Sequence, residues 1–256
     1  MKRFGAALAA LCLAVPAAAQ QPPAEFLSVT TITIRGSGVS EYEDFAKKVM
    51  AAAAKADPTA RVFAYQGGAG SSGYTYSFVR PFSKWGDMDA WMSVSQMLMK
   101  AHGDVEGGRI LKAGRSPIEQ SRTEVFRLLK DRSTRPRVFD PPRAHSLVFR
   151  TEVRPEMVPA YEEYLDKLKA AQEKLEGAPT VNRRVAVLGP GNTYLAAVPF
   201  DKYAERDSWP LPADVLRQAY GEAEAQRLNE VRLKSIKNAE VYVVNYRPDL
   251  SRIPAP

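Results

Sequence analysis

The chain has 256 residues, with 36 Lys or Arg against 29 Asp or Glu, so its formal net charge is +7. A positive excess of this size strengthens attraction to anionic surfaces only modestly. One Cys and two His leave little material for thiol, disulfide or multi-ligand metal chemistry. We therefore expect no metal site and no cofactor.

The N-terminus has the order of a secretory signal. Positions 2–3 are basic, 4–15 are apolar, and small residues follow up to Ala19. The apolar run of about twelve residues is shorter than the roughly 20 that span a bilayer. We expect cleavage between Ala19 and Gln20 and a periplasmic or secreted protein with no transmembrane span and no nucleic-acid partner. Lipid attachment at Cys12 is the alternative, and the bulky residue before it fits lipoprotein processing poorly.

An internal repeat organises the rest of the chain. Gly-Tyr-Thr-Tyr and Pro-Phe-Ser-Lys-Trp within 73–85 return as Gly-Asn-Thr-Tyr and Pro-Phe-Asp-Lys-Tyr within 191–203, 118 residues later. Matching letters suggest that the register slips by one residue before this motif. They suggest a slip of two after it, where Glu-Val-Phe at 124–126 matches Glu-Val-Tyr at 240–242. Such slips are tolerated in surface connections.

The repeat sets the expected division of the chain. We expect a signal peptide at 1–19, a disordered tail at 20–26, a first unit at 27–130, a linker at 131–143, a second unit at 144–246 and a C-terminal tail at 247–256. The linker is predicted because prolines lie among charged residues there. A solvated connector is favoured over an anion-binding patch.

Both units predict the same elements in the same order. The first has a β-branched strand at 29–34, an amphipathic helix that Ser40 would cap, and a strand at 61–65. A Gly-rich turn at 67–73, predicted to be a flexible hairpin tip, leads to a third strand. A helical segment at 87–113, broken near Gly103, precedes the last strand at 124–129. This β-α-β-β-α-β order is the ferredoxin-like arrangement.

The two helices of such a unit cover one face of its sheet and leave the other face bare. A bare apolar face would be an exposed patch, whereas two copies in one chain can lay these faces together. We therefore predict an α+β fold in which tandem ferredoxin-like units pack their sheets into a pseudo-dimeric α+β barrel.

With this doubled order, the Pro-Phe-x-Lys-aromatic motif and the Asp-x-Trp motif, the chain resembles the dimeric α+β barrel superfamily. That group includes antibiotic-biosynthesis-monooxygenase-like and NIPSNAP-like proteins. The resemblance covers nearly all of the chain after the signal and identifies no subfamily. It implies a small molecule bound between sheet and helices, as in many members, and an enzymatic activity in several.

Candidate site residues lie where the copies differ while facing the same space. The pairs are Tyr65 with Leu188, Tyr74 with Asn192, Arg80 with Val198, and Trp85 with Tyr203. The first unit is the more aromatic and polar, as expected if one half has specialised. The candidate ligand-binding set is Tyr65, Tyr74, Tyr76, Arg80, Trp85 and His102. For Arg80 we expect a ligand carboxylate or a neighbouring acid. Ordinary divergence on a sheet face is the alternative.

Residues repeated in both copies point instead to packing. Trp91 and Trp209 are expected in the core, and Glu106–Arg109 and Glu224–Arg227 are expected to form ion pairs between residues i and i+3 of a helix. His102 has Tyr220 as its repeat partner, so single-histidine haem ligation is less favoured than a helix-end position.

Three functions remain open from the sequence. The favoured one is an exported protein that binds a small, partly apolar ligand. The alternatives are a cofactor-independent, monooxygenase-like oxidoreductase and a structural or partner-binding periplasmic protein. A cavity of roughly 300 Å³ or more with convergent polar groups would support the first two, whereas a sealed barrel would support the third. Whether the protein is an enzyme stays open.

Overall fold

The computed structural model describes residues 23–137 and 142–254. The first unit consists of β1 (Phe26–Ile34), α1 (Val39–Ala56), β2 (Phe63–Gly67), β3 (Thr75–Phe82), α2 (Val94–His102), α3 (Asp104–Arg115) and β4 (Ile118–Leu128). The second consists of β5 (His145–Val153), α4 (Val158–Glu173), β6 (Asn182–Leu188), β7 (Thr193–Phe200), α5 (Pro212–Tyr220), α6 (Glu222–Ser235) and β8 (Ile236–Tyr246). The predicted signal peptide lies outside the described residues.

All eight strands join into one closed antiparallel barrel, in the order β1-β3-β2-β8-β5-β7-β6-β4. Each unit contributes a four-stranded sheet, and the pairs β2–β8 and β4–β6 join the two sheets. Because all neighbours are antiparallel, β1, β2, β5 and β6 begin at the same end of the barrel. The predicted α+β fold, with tandem ferredoxin-like units closing a pseudo-dimeric barrel, is confirmed.

The helices pack on the outside of the barrel, and their boundaries follow local backbone rules. The helical break near Gly103 is confirmed: α2 ends and α3 begins there, at a φ of +79°, and Gly221 repeats the break at +81°. Glycine suits both positions because side chains disfavour positive φ. The predicted cap at Ser40 is wrong. A 3-10 turn at Gly36–Gly38 leads into α1, so Gly38 occupies the N-cap position and Ser40 lies in the first turn.

The offset of 118 residues persists through the last strands. Ile118 pairs with Ile34 and Ile236 pairs with Val153, in each case just beyond a β-bulge. No further irregularity occurs along these ladders, so Glu124 and Tyr242 occupy equivalent positions. The two-residue slip inferred from Glu-Val-aromatic letters is therefore wrong, because the bulge recurs at the same place in both units and inserts no extra residue.

The one-residue slip before the hairpin changes another match. Tyr65 pairs with Ser77, and Arg184 pairs with Leu195, which is 118 residues after Ser77. The structural counterpart of Tyr65 is thus Arg184, and the match of Tyr65 with Leu188 is wrong. Both side chains line the interior of the barrel.

The segments that follow β4 and β8 cross to the opposite unit and fold there in the same way. Thr134 forms a β-bridge with Val181 of the second unit, and Arg252, 118 residues later, forms one with Val62 of the first. Leu250 in the second segment is fully buried against the α1 side of the first unit. Each unit is therefore packed against the segment that follows the last strand of the other unit.

An arginine in each crossing segment reinforces this exchange. Arg247 contacts Glu43 of α1 with an N–O distance of 2.6 Å, and the Tyr76 hydroxyl donates a hydrogen bond of 2.7 Å to the same carboxylate. In the second unit, Arg132 lies 3.1 Å from Glu162 of α4. The hydroxyl of Tyr194 donates to that glutamate at 2.9 Å. Two similar Tyr-Glu-Arg clusters thus join the units, although their arginines occupy different positions of the repeat.

Because neither sheet is complete alone, residues 24–135 expressed by themselves should form a dimer or an aggregate. Each unit would expose the edges of β2 and β4 and a bare sheet face. Size-exclusion chromatography with light scattering measures the outcome. A stable, well-folded monomer would contradict the interdependence of the two units.

The Glu43–Arg247 contact should contribute to stability in a pH-dependent way. Hydrogen bonding to Arg247 holds the pKa of Glu43 below its ordinary value. The stabilisation is therefore present above the unfolded-state pKa of about 4.3 and is lost as the pH falls through the folded-state value. Glu43→Gln should lower the free energy of unfolding by about 1–3 kcal/mol at pH 7, with a smaller difference in acid.

Urea denaturation at pH 7 and in acid tests this expectation. The matched control is Glu106→Gln, which removes an exposed intrahelical pair with Arg109 and should have a smaller effect because water screens that pair. An equal loss in both variants, or a Glu43→Gln loss that persists in acid, would contradict the expected ionic contribution of the Glu43–Arg247 contact to stability.

Candidate functional site

A cavity of about 850 Å³ occupies the interior of the barrel. Successive strand residues point to opposite faces, so every second residue of the strands contributes to its wall. Many of these inward positions carry small side chains, among them Thr31, Gly67, Ser77, Ser146 and Ala197. Their size leaves the middle of the barrel open.

Apolar and aromatic side chains form much of the cavity wall. They include Val29, Phe63, Val79, Val148 and Val244. The phenols of Tyr65 and Tyr242 also line it, and burial is the main cause that raises the pKa of each. Both hydroxyls therefore stay protonated at neutral pH and can donate hydrogen bonds.

Arg122, Glu124, Arg150 and Glu240 line the cavity and form what we call the ion-pair group. The Glu124 side chain is only 3% exposed and lies 2.7 Å from Arg150 and 3.1 Å from Arg122. Glu240 is the partner of Arg150 in the β5–β8 register. Buried charges are costly unless paired, and these two arginines pair with the carboxylate between them.

A second group, made of basic side chains, lies at the barrel end where β2, β5 and β6 begin. This group, the basic end, comprises Arg61, Arg137, Arg143, His145 and Arg184. Arg184 is 5% exposed and donates to the backbone carbonyl oxygens of Ala24 at 3.0 Å and Glu25 at 3.3 Å. Burial lowers the pKa of Arg184 to about 10, so its guanidinium remains charged at neutral pH.

Of the six predicted site residues, Tyr65 lines the cavity. Tyr76 and Arg80 lie on the opposite face of β3, under the helices. Tyr76 is fully buried, with its ring 5.2 Å from that of Tyr42. Arg80 contacts Asp57 at 3.3 Å and stacks over Trp91 at 4.1 Å, so the expectation of a neighbouring acid is confirmed.

The other three predicted residues are at the surface. Tyr74 is 49% exposed, Trp85 is 46% exposed, and His102 is exposed at the last position of α2. The structure does not bring the six residues together. Ligand binding by the whole set stays a prediction, and Tyr65 is its member in contact with the cavity.

The residues predicted to pack do so. Trp91 lies edge-on to Phe82 with ring centroids 5.3 Å apart, and Trp209 lies edge-on to Phe200 at 5.7 Å. The expected intrahelical ion pairs of Arg109 and Arg227 are also present, at 2.6 and 2.8 Å. The two tryptophans belong to the layer between helices and sheet, whereas the ion pairs lie on the solvent-facing side of the helices.

Sequence reasoning missed the charged residues of the cavity, above all Glu124, Arg150 and Arg184. The sequence did contain a signal for them. Arg122 and Glu124 lie two residues apart in a strand, so both face the same side of the sheet, and charges on the inward side are costly unless paired. The two units also differ in the cavity wall. Tyr65 of the first unit corresponds to Arg184 of the second, and this difference becomes visible only when the two units are aligned in the correct register.

The Gly-rich turn between β2 and β3 lies at the rim of the cavity, which Gly70 and Ser71 help to line. Backbone hydrogen bonds of 2.8 Å link the Gly68 nitrogen to the Val243 carbonyl and the Val243 nitrogen to the Ala69 carbonyl. The turn is thus attached to β8 and extends the contact between the two units.

Within residues 23–137 and 142–254, no cluster of three or more His, Cys, Asp or Glu side chains has the arrangement of a metal site. No helix in the same part of the chain is both long and apolar enough to cross a membrane.

Comparison with known proteins shows the fold. No family model and no curated protein matches the sequence. Solved structures do match. A candidate monooxygenase from Lactobacillus acidophilus NCFM has a TM-score of 0.50 and 11% identity over 92% of this chain and 98% of its own. An anthrone oxidase-like protein has a TM-score of 0.54 and 14% identity over 91% and 94%.

A candidate monooxygenase from Fusobacterium nucleatum subsp. nucleatum has a TM-score of 0.53 and 10% identity over 88% of this chain and 93% of its own. The chain has the dimeric α+β barrel fold. At these identities the likeness extends to the fold alone. The resemblance implied a ligand between sheet and helices, whereas the cavity described above lies on the other face of the sheets, inside the barrel.

Removing Glu124 should be among the most damaging single changes in the barrel. Glu124→Gln leaves Arg150, 11% exposed, without its counter-charge, and breaking a buried pair in this way costs about 3–5 kcal/mol. Arg122→Ala removes the outer partner, 43% exposed, and should cost less than about 1 kcal/mol. Urea denaturation of both variants measures the difference in the free energy of unfolding. Equal effects would contradict the greater importance of the buried Glu124–Arg150 pair.

Proposed function

We propose that this protein binds a small, partly apolar organic molecule inside its barrel, and that it does so outside the cytoplasm. The observation that carries the proposal is the open interior of about 850 Å³, which lies within the range of small-molecule sites. Its wall combines apolar residues with the ion-pair group and the basic end. Such a wall suits a partly apolar ligand with polar substituents.

An unfilled interior favours ligand binding over a purely structural role. Eight-stranded barrels have interiors that side chains can fill, and a cavity lined by apolar groups costs stability. A barrel with only a structural task would gain by carrying larger residues at Ser77, Ser146 and Ala197. A bound molecule offsets the cost by restoring contacts in the cavity.

An oxidoreductase that uses this cavity is the second candidate, supported by fold likeness to two candidate monooxygenases and an anthrone oxidase-like protein. The raised pKa values of Tyr65 and Tyr242 make these phenols hydrogen-bond donors and not bases. Binding alone is therefore the better supported proposal. Oxygen consumption when the natural ligand is added would move the assignment to catalysis.

The proposal predicts a bound ligand and a cleaved N-terminus. Native mass spectrometry of the protein purified from the organism that produces it detects both. We expect a mass excess that disappears on denaturation, and a polypeptide that begins at Gln20. A ligand-free chain that retains residues 1–19 would contradict both parts.

A cavity-filling variant then locates the binding. Ala197→Trp places a large side chain in the cavity wall and should abolish binding of N-phenyl-1-naphthylamine, an uncharged apolar dye that fluoresces when it leaves water. The matched control Val105→Trp adds the same ring at a position 90% exposed and should bind like the wild type. Equal binding by both variants would place the dye elsewhere and contradict the proposal.

A further inference from the structure

We propose that the ligand carries an anionic group, a carboxylate, sulfonate or phosphate, and that Arg184 binds this group at the basic end of the cavity. The inference rests on the proposed function and adds the chemical class and the orientation of the ligand. Its starting point is a buried cation for which the described residues provide no ion pair.

The surroundings of Arg184 are unusual for a charge that is 5% exposed. Its hydrogen bonds go to the two backbone carbonyls of Ala24 and Glu25. The charge of Glu25 acts on it electrostatically, but no carboxylate in the part of the chain that the structure describes lies within ion-pair distance. An unpaired buried charge is costly. The guanidinium has five N–H groups in a planar fork that suits a bidentate oxyanion, and two of its N–H groups are used by these carbonyls.

Comparison of the two units shows that packing does not require a charge at this position. The structural counterpart of Arg184 is Tyr65, which lines the same cavity from the first unit. The neighbouring Arg183 is equally buried but faces the helices, where Gln172 and Thr134 accept hydrogen bonds of 2.7 and 3.2 Å. Arg183 therefore has side-chain acceptors in the protein, whereas Arg184 faces the cavity.

The distribution of charge around the cavity also supports an anionic group at the basic end. The acids among its described lining residues, Glu124 and Glu240, both belong to the ion-pair group. Arg61, Arg137 and His145 line the basic end together with Arg184. Arg143 lies there as well, but it is paired with Asp201 at 2.9 Å and with Glu205 at 2.8 Å. Apolar walls concentrate the field of such a group, so an anion inside the barrel is drawn toward this end.

Two dyes that differ by one sulfonate test the inference. N-phenyl-1-naphthylamine is uncharged, and 8-anilino-1-naphthalenesulfonate is the same molecule with a sulfonate. We expect the wild type to bind the sulfonated dye about ten-fold or more tightly than the uncharged one, as charge-assisted hydrogen bonds allow. Arg184→Met should remove this preference while leaving affinity for the uncharged dye within about two-fold.

Two control variants distinguish the loss of the Arg184 charge from a general effect on folding. Arg183→Met removes an equally buried guanidinium that does not line the cavity, and it should keep the ten-fold preference. Arg184→Lys should restore part of it, because the ammonium keeps the charge and loses the fork. Should Arg184→Met fail to fold, sodium sulfate tested on the wild type gives the answer: it should displace the sulfonated dye and leave the uncharged dye bound.

The outcomes distinguish this inference from the function on which it rests. Equal affinity for the two dyes, with no effect of Arg184→Met or of sulfate, would overturn the anionic class while cavity binding stands. Binding of neither dye, or binding that Ala197→Trp does not affect, would overturn the proposed function itself. A sulfonate preference that survives Arg184→Met would overturn the placement at Arg184.

Discussion

Closure of the sheet is the constraint on which the rest of the molecule depends. A four-stranded sheet with helices on one face has two unpaired edges and a bare face, and neither is stable in water. The pairs β2–β8 and β4–β6 remove the edges, and the two bare faces become one interior. The crossing segments at Thr134 and Arg252 then tie each unit to the strands of the other.

Closure also decides where chemistry can take place. In each unit the helix-facing layer is packed with large side chains such as Tyr42, Tyr76, Leu216 and Leu228. The inner layer is lined by smaller residues and by charges. Space and polarity therefore occur together on the inside of the barrel, while the outside supplies the stability that an unfilled interior requires. The Tyr-Glu-Arg clusters belong to that outer, stabilising part.

The sequence predicted the fold because two strong signals agree, the repeat at 118 residues and the change between strand and helix periodicity. It did not predict the cavity residues, because facing direction depends on strand pairing. Tyr76 and Arg80 share the parity that points to the helices, whereas Ser77 and Val79 point inward. The Glu-Val-aromatic letters matched Glu124 with the wrong residue, and no local pattern reveals that Tyr65 and Arg184 occupy equivalent places.

Fusion of the two units into one chain has a consequence for any molecule inside the barrel. In a dimer of identical subunits every substitution appears twice, so a shared interior has the same chemistry on both sides of its two-fold axis. A single gene for both halves removes that restriction, and Tyr65 and Arg184 have diverged accordingly. The two sides of the interior thereby differ chemically, and an asymmetric ligand has one preferred orientation in the barrel and not two.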